Sequence, residues 1–184
     1  MKDNIATPKG SLEIFSVQDG KWELLRKLNN MVLYTGADIL ASTLAGLNKG
    51  VNGMYLEYNN NTPSAPSITR ERDRSYYEGL SSPAGYVRVP TIANPSLTAS
   101  DENYTGKVVQ FIGVTDGSIV NGPGIIDGTS AYYSCSLVSM PDSLDRTQDV
   151  IFSAANITDS NDLLSPIIKV ANAQIGIKWV IQFT

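Results

Sequence analysis

The closing run Ala173 to Phe183, AQIGIKWVIQF, constrains the fold more than any other stretch. Ile175, Ile177, Trp179, Ile181 and Phe183 fall on one side of it. Gln174, Gly176, Lys178, Val180 and Gln182 fall on the other. A period of two belongs to a β-strand and to no helix. Burying five large apolar side chains on one face contributes roughly 1.5–3 kcal/mol each, so the run predicts a core strand paired on both sides. The rest of the chain must supply its neighbours and an opposing layer.

Those neighbours are legible as strands punctuated by turns. GSLEIFS (10–16) and KWELLRKL (21–28) flank Asp19-Gly20, a strong hairpin signal. Further strand-like runs are GMYLEY (53–58), with Met54, Leu56 and Tyr58 on one face, and GYVRVPTI (85–92), which Pro90 confines to an edge or a strand end. TGKVVQFIGVT (105–115), 129–138 and QDVIFSA (148–154) complete the set. The polar stretches NNNTPSAPS (59–67), Asn94-Pro95, Asp116-Gly117, NGPGIIDG (121–128), 141–146 and DSND (159–162) read as turns and loops.

One helix interrupts this pattern. In NNMVLYTGADILASTLAGLNKGVNGMYLEY (29–58), Thr35 is a candidate N-cap with Asp38 three residues on. Ala37, Leu40, Ala41, Leu44 and Leu47 recur at helical spacing, and this stripe is expected to cover a sheet. NKGVN (48–52) is expected to end the helix. The fold class that follows is all-β: an antiparallel β-sandwich or jelly-roll-like domain of eight to ten strands, with one short α-helix after an N-terminal hairpin. At 184 residues the chain suits one domain, read as 10–184. Residues 1–9 are read as an arm that orders against a partner, or else as a frayed terminus.

Composition narrows the chemistry. There is no histidine, which removes Ser-His and Cys-His nucleophile pairs and imidazole zinc sites. The single cysteine, Cys135, permits no intrachain disulfide and sits in a strand-like run, where a buried apolar role is expected. Asp142 with Asp145, Asp159 with Asp162, and Asp101 with Glu102 are the carboxylate pairs available for acid–base work or calcium. Each lies in a turn where Asp serves the local backbone. No cofactor, metal site or enzymatic activity is expected.

A net charge of −4 without a basic cluster argues against a nucleic-acid partner. No apolar run reaches membrane length, and MKDNIATPKG shows no secretory core, so folding in a reducing cytoplasm is expected. Charged residues are 17% of the chain, against roughly 25% in ordinary soluble domains. Such a surface suits contact with other proteins or a place outside the cell, and a plain turn-rich β-protein has the same composition.

The best interface candidate is ITRERDRSYYEGL (68–80), in which Arg70, Arg72 and Arg74 alternate with acids before Tyr76 and Tyr77. Arg and Tyr are enriched at binding hot spots. The alternative is a solvated edge strand or loop whose charges satisfy one another.

Taken together, LNNMVLYTGADILASTLAG, VNGMYLEYNN, SYYEGL, YVRVP, RTQDVIFSAA and QIGIKWVIQF resemble small all-β virion structural proteins of tailed bacteriophages. The resemblance spans about Gly10 to Phe183. It implies a non-enzymatic subunit present in many copies, of head-decoration or neck or tail accessory type, assembled in the host cytoplasm onto other virion proteins. It implies no particular site residues. A different expectation is a carbohydrate-binding or receptor-binding β-sandwich in which Tyr76, Tyr77 or Tyr86 stacks on sugar along an open groove.

Overall fold

Asp19-Gly20 turns the chain with φ of 51° and 74°, the two left-handed residues of a tight hairpin turn whose twist matches its strands. The computed structural model describes residues 9–47, 50–59, 68–81, 84–91, 108–115, 130–142, 144–158, 166–169 and 173–182. In it, β1 (Lys9–Gln18) and β2 (Lys21–Val32) pair from Gln18 opposite Lys21 to Gly10 opposite Asn30. Lys9, expected in the arm, is thus the first residue of β1; residues 1–8 lie outside the described residues. After the hairpin come α1 (Tyr34–Leu44), β3 (Gly53–Asn59), α2 (Arg74–Glu78), β4 (Ala84–Pro90), β5 (Val108–Val114), β6 (Ser130–Ser139), β7 (Val150–Asn156), β8 (Ile167–Lys169) and β9 (Gln174–Gln182).

The closing strand β9 is central, as its alternation predicts. It is paired along its length with β1 on one side and β5 on the other. Ile175, Ile177, Trp179 and Ile181 are buried, while Gln174, Lys178 and Val180 on the other face are half-buried. Phe183 lies outside the described residues.

The strand path is β4-β3-β6-β7-β2-β1-β9-β5, with β8 beside β6, and the pairings are antiparallel. One strand makes two layers of it. β2 pairs with β1 as far as Asn30, then gives Met31 and Val32 to Ala154 and Ser153 of β7. At the opposite ends of the path, Thr91 beyond β4 bridges Gly113 of β5, so the sheet curls into a half-barrel. Its interior holds Leu12 and Ile14 of β1, Ile177 and Trp179 of β9 and Phe111 of β5. These pack against Leu56 of β3, Leu137 of β6 and Phe152 of β7. Cys135 is fully buried in the same core, where desolvation pushes its thiol pKa up and keeps the sulfur protonated.

The helix is where the sequence places it, but its ends and faces differ from expectation. Leu33, not Thr35, is the N-cap, and it caps with no side chain. Backbone carbonyls from elsewhere do that work: Leu33 N–H donates to Phe152 O and Tyr34 N–H to Arg70 O, at 3.1 and 3.0 Å. Thr35 Oγ1 donates instead to Ile151 O. The helix stops at Gly46, ahead of NKGVN, with φ 73°. Gly46 N–H donates to Thr43 O and Leu47 N–H to Ser42 O, the paired bonds of a Schellman motif.

The apolar stripe faces the wrong way for a core. Gly36 and Ile39 are the buried residues of α1, while Ala37, Ala41, Leu44 and Leu47 are exposed and Leu40 is half-buried. Helical spacing identifies an apolar face, but the approach of α1 to β7 selects the side with the smallest residue. A Cβ on Gly36 would lie 2.2 Å from Phe152 O. Gly36→Ala is therefore expected to destabilise the chain by about 1–3 kcal/mol as the helix is lifted from β7, despite alanine's better helix propensity. Urea unfolding measures it, and an unchanged or raised midpoint would refute this close contact.

Candidate functional site

Tyr55 and Glu57 alternate with Met54 and Leu56 along β3, so they face away from the half-barrel interior. That outer face is nevertheless covered, because residues 68–80 cross it as a strap. Where the sequence suggests an edge strand or loop, the strap forms a short helix, α2, capped by Asp73 Oδ1, which accepts from Ser75 N–H at 2.8 Å. The Ser75 hydroxyl, which also donates to Asp73 Oδ1, and this backbone bond hold the Asp73 carboxyl below its ordinary pKa. Strap and sheet bury Leu33, Tyr55, Tyr77, Val138, Met140, Ile151 and Ala154 as a second apolar cluster.

Two ion pairs lie beside it, the first buried and the second with a half-buried arginine. Arg72 Nη1 donates to Glu57 Oε2 at 3.2 Å and to Ser134 Oγ at 3.3 Å. Glu57 also accepts from the Ser134 hydroxyl, and its Oε1 from Tyr76 O–H at 2.7 Å. The Arg72 guanidinium lies 3.8 Å from the Tyr76 ring centroid, a cation–π contact. In the second pair Asp149 accepts from Arg88 Nη2 at 2.9 Å and from the Tyr55 hydroxyl. Arg88 also donates to Asp142 O.

The register explains the proximity. Tyr55 stands opposite Arg88 of β4 and Ser136 of β6, and Glu57 opposite Tyr86 and Ser134. Rings of Tyr55, Tyr77 and Tyr86 pack with centroids 4.5–5.4 Å apart, and Tyr77 bonds Ser136. Burial pushes the Tyr77 pKa up to about 12, with Arg72 and Ser136 opposing the rise. Tyr55 and Tyr76 are raised further, first by burial and then by their bonds to Asp149 and Glu57.

The five interface candidates therefore divide. Arg72 and Tyr77 are buried inside this chain, and Tyr76 is half-buried against Arg72. Arg70 is exposed, and Arg74 pairs with Glu78 on the surface at 2.5 Å. The Arg–Tyr pattern thus marks an internal seam, with Arg70 and Arg74 at its outer rim. Tyr77 packs edge-on against both Tyr76 and Tyr86, so these rings contact one another within the chain. Glu57, Arg88 and Asp149 are members of the site that the sequence pattern does not single out. The available signal is Glu57 itself, an acid inside an otherwise apolar and aromatic strand that calls for a cationic partner.

Among the carboxylate pairs, Asp142 Oδ1 accepts from Leu144 N–H and Asp145 N–H, and Asp145 caps the 3-10 turn Arg146–Gln148. Both serve the local backbone, as their turn setting predicts. Asp101, Glu102, Asp159 and Asp162 lie outside the described residues, as do the turns at 94–95, 116–117 and 121–128. Among the described residues no group of three or more Asp, Glu or Cys is placed to hold a metal, and no helix is long and apolar enough to cross a membrane. No protein family, curated protein or solved structure matches this chain.

Proposed function

We propose that the chain is a non-enzymatic structural subunit of a tailed-bacteriophage virion, a head-decoration or neck or tail accessory protein acting through contacts with other virion proteins. The observation that carries the reading is a set of large apolar side chains held at the surface. Tyr34, Leu44 and Leu47 stand out on and beside α1, and Trp22 and Leu24 on the hairpin. Apolar surface of this kind is what subunit contacts cover. The resemblance of the sequence blocks to phage structural proteins is what points to a particle, and the low charge content agrees with a surface spent on neighbours. Assembly takes place in the host cytoplasm, where a chain with one buried thiol needs no oxidising compartment.

Mass spectrometry of gradient-purified particles from cells expressing the gene tests this. Peptides of this chain should co-sediment with the particles at a fixed, multi-copy ratio to the major shell protein. Recovery only from the soluble fraction would overturn the reading.

A further inference from the structure

We propose that α1 pairs antiparallel with α1 of a second copy of this chain, about a two-fold axis at the level of residue 39. Met31, Tyr34, Ala37, Ala41, Leu44 and Leu47 are exposed apolar residues on and flanking the helix. Within the helix Tyr34, Ala37, Ala41 and Leu44 read large, small, small, large, and their spacing is symmetric about residue 39. An isologous contact requires such self-complementarity. Laid antiparallel, Ala37 of one copy meets Ala41 of the other, so the backbones approach closely. Tyr34 then meets Leu44, closing over both ends of the seam.

Exposure shows how much these side chains leave uncovered. Leu44 is 89% exposed, Leu47 65% and Tyr34 58%. The opposite side of the helix is already committed, with Gly36 and Ile39 against the sheet. Antiparallel pairing also sets each helix's positive end against the other's negative end. Asp38 is the only charge within α1, and the geometry places both copies' Asp38 on the same side of the seam. A helix of eleven residues spans about 16 Å, and the seam covers less than the roughly 800 Å² per partner of a standard stable complex. The pair is therefore weak and concentration-dependent. It uses the same exposed side chains as the virion reading, but it is tested on the isolated chain, so its failure and that of the virion reading are separate results.

The test is directed cross-linking. Cys135 is fully buried and stays silent, so Ala37→Cys and Ala41→Cys proteins can be mixed under mild oxidation. The expected result is a disulfide-linked heterodimer, one copy of each variant, forming several-fold faster than either homodimer and faster than any dimer of a Glu78→Cys control, an exposed position of α2. Leu44→Asp on both partners should abolish it with the melting temperature unchanged, and Asp38→Asn should strengthen it. An Ala37→Cys homodimer forming fastest would indicate parallel helices and overturn the proposal. Sedimentation of the unmodified chain gives a second readout: its mass should rise with concentration, and less so for Leu44→Asp. A strict monomer up to millimolar concentration would leave the stripe to some other partner and overturn the pairing as well.

Discussion

Arg72→Ala is expected to lower the melting temperature of the isolated chain by roughly 6–20 °C. Arg72 and Glu57 have side chains only 2% and 7% exposed, and deleting one partner of a buried pair costs about 3–5 kcal/mol because the other charge is left unpaired. For a chain of this length each kcal/mol moves the midpoint by about 2–4 °C. Glu57→Ala should cost a similar amount. The two losses should not add, since both remove one network. Thermal unfolding of the two single variants and the double variant measures this. A residue serving only a partner contact would leave the melting temperature of the free chain unchanged, and that result would put the strap on the surface.

The second large effect is alkaline unfolding. A tyrosine whose folded pKa is raised holds its proton more tightly in the native state. Its contribution is therefore complete below the ordinary value of 10.0 and is lost as pH rises through the folded value, about 12 for Tyr77. For Tyr77 alone that is roughly 2–3 kcal/mol, and Tyr55 and Tyr76 are shifted in the same direction. A cooperative step in tyrosinate absorbance, from the buried cluster, should coincide with the loss of far-ultraviolet circular dichroism between about pH 10 and 12. Tyr77→Phe should make that step shallower. Ionisation of all the tyrosines near pH 10 with the strands intact would show that the cluster is open to solvent.

What is legible in the sequence is the part decided by local chemistry. Asp19-Gly20 specifies the hairpin because few other residue pairs adopt two left-handed conformations. Ile175 to Ile181 announces a central strand because one face is apolar throughout. Pro90 marks β4 as terminal in the strand path, where a missing N–H costs least. The helix shows where pattern reading stops. Its location follows from sequence, but its buried face follows from how closely β7 comes, and that closeness depends on Gly36, a residue with no hydropathy to register. The strap is illegible for a related reason. Arg72 and Glu57 are fifteen positions apart, and alternating charge looks the same whether water or a second layer of protein satisfies it. Only the register of β3 with β4 and β6 brings Tyr86, Glu57 and Ser134 into one row beneath the arginine.

The sharing of β2 between the two layers has a mechanical consequence. In a sandwich joined only by loops, a pull that separates the layers is resisted by side-chain contacts and by slack connections. Here Asn30 pairs in one layer and Met31 in the next, so tension across the gap passes straight into a taut peptide backbone. Peeling must then begin by unzipping hydrogen bonds along a strand, residue by residue, and the domain should yield in steps under force.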